Sequence, residues 1–262
     1  MLQTIGEKMK KAKIFNSFEF PKLGFTLSEV LIAITVIGVI SSITIPVIQA
    51  HFRKREVEIR LEQVYSILNN ALTMAVSVHG PVYTWDEMSM TPDSQSAAFF
   101  DKYLAPHLIF AKGRDKYDME ELGYNGIKRP NGTLYLANSK RNMAVLNNGA
   151  CINAFGGWLF TMNDGTKKYY AVQYLVDVNG SKGHNTIGKD IFHFKLILIS
   201  DRQQFDLAGN TQEKIYFSTG KTTITPTPVD EIIANCEDEG IYCGALIQRN
   251  SWQVPDDYPL KM

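Results

Sequence analysis

The chain has 262 residues, of which 45% are apolar and 21% charged, with a mean hydropathy of -0.13; this excludes a polytopic membrane protein and a disordered one. Its 27 basic and 27 acidic residues cancel, so no global field draws it onto nucleic acid. The charge is nevertheless uneven. From Met1 to Gly24, five lysines (Lys8, Lys10, Lys11, Lys13 and Lys22) outnumber Glu7 and Glu19, a net of +3, and the rest of the chain carries -3. Val30 to Ala50 then contains no charged residue over 21 positions. At about 1.5 Å per residue such a run crosses a hydrocarbon layer of about 30 Å. Basic residues before it and a long polar segment after it predict a single span, with the bulk of the chain outside the cytoplasm. A secretory signal peptide accounts for this less well. The run is longer than a hydrophobic region of about 7–15 residues, no small-x-small site follows, and the sequence continues into a helical pattern.

Glu29 stands at the head of the apolar run. A carboxylate in a membrane costs about 2.5–3.5 kcal/mol at the midplane and less near the edge, so it needs a partner or a function. The segment Lys22-Leu23-Gly24-Phe25-Thr26-Leu27-Ser28-Glu29, leading into the apolar run, resembles the processing motif of type IV prepilins and of the pseudopilins of type II secretion systems. Gly38 and Pro46 fall where pilin helices commonly soften and kink, and the resemblance covers residues 20–55. It implies that a prepilin peptidase and N-methyltransferase cuts between Gly24 and Phe25 and methylates the new terminal Phe25. It also implies that Glu29 meets the α-amino group of Phe25 on a neighbouring subunit, neutralising the carboxylate in low dielectric and setting the register. Pro46 removes a backbone donor, so the helix is expected to bend or locally melt there.

Beyond the span the helix turns amphipathic. Val57, Leu61, Val64, Leu68, Leu72 and Ala75 recur at steps of three or four, with Arg53, Arg55, Glu58, Arg60, Glu62 and Asn69 on other faces. One helix over 26–78 is predicted, ended by Gly80-Pro81, with Arg53-Lys54-Arg55 as a polar collar at the membrane exit. Residues 84–132 carry few strand signals and read as a connection with one or two short helices, their aromatics (Phe99, Phe100, Tyr103, Phe110) serving as core. Strands are predicted at 157–163 and 168–178 around the turn signal Asp164-Gly165, and at 191–199. In the last of these, Phe192, Phe194, Leu196 and Leu198 alternate with His193 and Lys195, which places His193 toward solvent. Strands in sequence with tight connections imply an antiparallel sheet covered by the amphipathic half-helix. The expected fold class is therefore α+β, and the resemblance implies the type IV pilin-like arrangement. Its parts are a leader peptide at 1–24, a transmembrane and filament-core helix at 25–50, the amphipathic half of the same helix at 51–80, and an extracytoplasmic globular domain at 81–262.

Between the last two strands, Asp177, Asn179 and Asp190 offer oxygens in a glycine-rich loop, a donor type that suits Ca²⁺. The loop is not an EF-hand, since Lys182 replaces the required glycine and no Glu stands at the twelfth place. Some pseudopilins hold calcium in an Asp-rich loop of this half of the fold. The alternative is that Asp177 and Asn179 make Asx-turns and Asp190 caps the next strand. No cofactor is otherwise required. Cys236 and Cys243 enclose six residues, a short disulfide loop resembling the C-terminal clasp of some pilins, with Cys151 buried and reduced; spacing alone leaves three possible pairs. Trp252 and Tyr258 are expected to close the sheet.

GxSxG, Walker A, GxGxxG before a helix and paired histidines on one helix face are all missing from the sequence, so an enzyme is not expected. The expected function is that of a structural subunit precursor of a type IV pilus-like filament. A pseudopilin, or a membrane-anchored extracellular binding protein that never polymerises, are the alternatives. The resemblance implies as partners the prepilin peptidase, other pilin or pseudopilin subunits, an inner-membrane assembly platform and membrane lipid. The expected location is the bacterial cytoplasmic membrane, then a filament at the cell surface or in the periplasm.

Overall fold

The long helix is observed as α1, Leu27–His79, in a computed structural model that describes residues 24–80, 85, 97–112, 116–137, 140–161, 168–199, 204–205, 211–212, 217–219 and 228–262. The leader lysines, Pro81 and the Asp164-Gly165 turn lie outside the described residues. Gly80 ends α1: its φ is +80° and its N–H bonds to the Val76 carbonyl at 2.9 Å, the left-handed stop that glycine alone adopts without strain. The chain divides into two units, residues 1–48 and 49–262.

In the first unit α1 is apolar on every side and exposed, including Val30, Ile34, Ile37, Ile43 and Ile48. The helix runs through Pro46 without a break. Thr35, Ser42 and Thr44 turn their hydroxyls back onto the carbonyls of Leu31, Val39 and Ile40, which satisfies these three hydroxyls in an apolar setting.

In the second unit the predicted apolar stripe is buried: Val57, Leu61, Val64, Leu68, Leu72 and Ala75 all enter the core. They pack on one face of a seven-stranded sheet. Its strands are β1 (Phe110–Lys112), β2 (Lys116–Asp118), β5 (Lys140–Leu146), β6 (Cys151–Thr161), β7 (Lys168–Asp177), β8 (Ile191–Ile199) and β11 (Phe217–Thr219). Pairing follows β1-β5-β6-β7-β8-β11, with β2 also on β5, and every pair is antiparallel. Two small hairpins complete the set, β3 (Ile127–Lys128) with β4 (Leu134–Leu136), and β9 (Gln204–Phe205) with β10 (Thr211–Gln212). Val172, Tyr174 and Val176 of β7 and Phe192, Phe194 and Leu196 of β8 face the helix, as period-two alternation requires. Trp85, Phe99 and Tyr103 pack against the same core, Trp85 stacked on Tyr103 at 4.3 Å.

Three expectations are corrected. His193 and Lys195 do not face solvent: they are 2% and 3% exposed, because Tyr135 of β4 packs edge-on against His193 at 5.6 Å and covers that face. Burial, and then the charge of Lys195, push the His193 imidazole down to about 3, so it is neutral at physiological pH. The second face of the sheet thus has its own core of Met119, Tyr124, Ile127, Met143, Leu175 and Ile191. Two helices, α2 (Val229–Asp238) and α3 (Cys243–Arg249), end the domain. Trp252 and Tyr258 do not close the sheet. Trp252 packs on Tyr65 of α1 at 4.6 Å, and the Tyr258 hydroxyl donates to the Gly188 carbonyl.

The third correction is Glu58, which is only 6% exposed. Its Oε1 accepts the Val254 N–H at 3.0 Å and its Oε2 accepts Arg55 Nη1 at 3.1 Å, pinning the C-terminal segment to α1. Glu58→Ala leaves that buried N–H without a partner. It is expected to cost about 2 kcal/mol, or roughly 4–8 °C in Tm, with Glu58→Gln milder, as read by thermal unfolding of the two variants. An unchanged Tm in Glu58→Ala contradicts the pin.

Candidate processing and assembly site

Residues 24–26 precede the helix, and both residues flanking the predicted scissile bond are exposed, Phe25 by 84%. A Cβ built on Gly24 meets nothing within 4 Å, and Gly24 is not among the glycines with positive φ. The fold of the described residues therefore does not demand glycine there.

Thr26 and Glu29 form a reciprocal pair that the sequence reading missed. Glu29 Oε2 accepts the Thr26 N–H at 2.8 Å and the Thr26 hydroxyl at 2.7 Å, while the Glu29 N–H reaches the Thr26 hydroxyl at 3.3 Å. This is a capping box, and its Thr-x-x-Glu spacing is legible in the sequence. It fixes the helix start just after Thr26 and keeps Gly24-Phe25 outside the helix. Glu29 thus has a partner within its own chain.

The 177–190 loop brings Asp177, Asn179 and Asp190 together, and both carboxylates are 3% exposed. Asp177 Oδ1 accepts the Asn179 N–H at 3.1 Å, an Asx-turn, and its Oδ2 accepts the Tyr124 hydroxyl at 2.7 Å. Asp190 Oδ2 accepts the N–H groups of His184 and Asn185 at 2.8 and 2.9 Å, and Oδ1 that of Thr186 at 2.7 Å. All four carboxylate oxygens are engaged by protein donors. The arrangement does not present the free, converging oxygens that a six- to eight-coordinate calcium ion takes. Among the described residues, no three His, Cys, Asp or Glu side chains cluster as metal ligands.

Burial, and next the charge of Asp190, push the Asp177 carboxyl well above the usual carboxylate range. Burial also raises Asp190, against the pull of its three N–H donors and His184. The folded state therefore binds protons that the unfolded state releases. This contribution to stability is complete below the ordinary carboxylate value of about 4 and is lost as pH rises toward the folded value. Asp177→Asn removes the Asp177 share of that dependence. The difference in Tm, variant minus wild type, is expected to become more positive between pH 5 and pH 8 as read by thermal melts; a difference independent of pH contradicts the shift.

Cys236 and Cys243 are joined by a disulfide with a Cα separation of 4.6 Å, linking α2 to α3. Cys151 is a buried thiol beside Tyr124.

Two family models match the chain. Residues 21–45 match the prokaryotic N-terminal methylation motif, and residues 47–262 match a family described as "Family of unknown function (DUF6613)". The chain belongs to that family. No curated protein and no solved structure shows a significant match. The methylation motif is a mark of pilin-like substrates, not of enzymes, so the chain is a type IV pilin-like precursor with an apolar N-terminal helix suited to a membrane anchor. The two matched segments meet beside the division between the two units of the fold.

Proposed function

We propose that the chain is cleaved after Gly24, methylated on the Phe25 α-amino group, and packed as a subunit of a type IV pilus-like filament. The observation that carries this reading is the match to the methylation motif at residues 21–45, on a helix whose apolar residues are exposed among the described residues. In the membrane, lipid covers that surface. On extraction, equivalent helices of other subunits replace the lipid, and a heterologous contact of this kind repeats into an open filament. Glu29 pairs with the incoming Phe25 amine, and residues 81–262 form the outer surface. No cofactor enters this scheme. Gly24 supports the peptidase step, since its small size serves nothing inside the described fold.

Immunogold electron microscopy of sheared and periplasmic fractions, with antibody raised against residues 81–262, tests assembly. Labelled filaments are expected. Recovery of the chain only as a membrane-bound monomer, in cells that assemble other pilin-like filaments, overturns the reading in favour of a non-polymerising anchor.

A further inference from the structure

Two segments distant in sequence bring basic side chains to one cleft of about 810 Å³ in the 49–262 unit. Arg53 comes from α1; Lys182, His184 and Lys189 come from the loop between β7 and β8. Arg53 Nη1 lies 3.4 Å from His184 Nε2, which ties the two walls together. Among the described residues, no carboxylate lies within ion-pair distance of Arg53, Lys182 or Lys189. Their neighbours behave differently. Lys54, Arg55 and Arg60 are paired with Asp256, Glu58 and Glu56 at 3.7, 3.1 and 2.8 Å. The collar residues expected to act together are thus divided: two are held by the domain, and Arg53 is left for the cleft.

The acidic side chains of the cleft do not neutralise it. Glu56 is taken by Arg60, and Asp190 by three backbone N–H groups. Asn179 also lines the cleft, and its Oδ1 is buried with no hydrogen-bond partner. A ligand that fits therefore carries negative charge for the three cations. Arg53 also stands three residues past Ala50, the last residue of the charge-free run, or roughly 4.5 Å along the helix. That is the depth of lipid headgroups.

We propose that this cleft binds the phosphate of an anionic phospholipid headgroup, phosphatidylglycerol in kind, so that the subunit is held at the membrane surface before extraction. The proposal rests on the membrane-anchored reading but not on filament assembly. A soluble glycerol phosphate shares the chemistry, and the test separates the two sources.

Full-length protein in a neutral detergent is mixed with equimolar phosphatidylglycerol and phosphatidylcholine, or with sn-glycerol 1-phosphate, and bound species are counted by native mass spectrometry. Wild type is expected to favour phosphatidylglycerol over phosphatidylcholine by about tenfold or more, with that preference lost in Lys182→Gln/Lys189→Gln, whose side chains hold no ion pair of the fold. Arg53→Gln weakens it in the same direction. Equal preference for the two lipids, or a preference unchanged in the double variant, overturns the proposal. Glycerol phosphate bound as well as the lipid overturns the membrane as the source. Because no filament is involved, failure here leaves the assembly reading intact, and failure of assembly leaves this result intact.

Discussion

Gly24→Leu is expected to leave the chain at its precursor mass. A Cβ at this position meets nothing within 4 Å, so the substitution does not disturb the described fold, and any loss of processing belongs to the fit in the peptidase. Overfilling a close-packed site costs about 1–3 kcal/mol, which corresponds to roughly ten- to a hundredfold in cleavage rate. Gly24→Ala, one methyl larger than wild type, should fall between the two. Immunoblots of membranes after a pulse of expression resolve precursor from mature chain. Normal processing of Gly24→Leu contradicts cleavage after residue 24.

Glu29→Val is expected to be processed but not assembled. The charge on the neighbouring Phe25 amine would enter low dielectric without its counter-charge, and removing one partner of a buried ion pair costs about 3–5 kcal/mol, or roughly a hundredfold or more per added subunit. The same substitution also breaks the capping box with Thr26, which by itself is worth about 1 kcal/mol at the helix start. Glu29→Gln separates these effects. Its side-chain oxygen still accepts the Thr26 N–H and hydroxyl, but it carries no charge. If the charge drives entry, Gln fails as Val does; if Glu29 only starts the helix, Gln assembles as wild type. The amount of chain in sheared filaments, against mature chain in the membrane, reads the outcome. Wild-type filament yield from Glu29→Val removes Glu29 from the mechanism altogether.

The features legible in the sequence are those that depend on neighbours in the chain. The apolar run, the Gly-Phe-Thr-Leu-Ser-Glu signature and the three- and four-step stripe of α1 are all local patterns, and the helix ends within one residue of expectation. The strands at 168–178 and 191–199 followed from alternation and are observed as Lys168–Asp177 and Ile191–Ile199. What could not be read depends on partners far along the chain. Glu58 looks like a surface residue of an amphipathic helix, because its partner, the Val254 N–H, lies 196 positions away. His193 and Lys195 look like the wet face of a strand because nothing local announces that Tyr135 covers them. Alternation identifies two faces but does not say that both are buried. The cleft of Arg53 with Lys182 and Lys189 is hidden for the same reason, since the contact between Arg53 and His184 spans 131 positions. The Thr26–Glu29 box is different: its Thr-x-x-Glu spacing is local, and the same residues belong both to the processing motif and to the helix start.

The loop at 177–190 shows how composition alone leaves two readings open. Two aspartates, an asparagine and several glycines suit an ion or a self-contained turn equally well. The geometry favours the turn, because each carboxylate oxygen already faces an N–H or hydroxyl donor of the chain. Among the described residues, the lysines of this loop and Arg53 hold no ion pair, which is why the ligand proposed for the cleft is an anion.

The most direct measurement is the intact and N-terminal mass of the chain isolated from its native membranes. The account predicts a mature protein that begins at Phe25 with a methylated α-amino group. A chain that still carries Met1 to Gly24, in cells with an active prepilin peptidase, contradicts it.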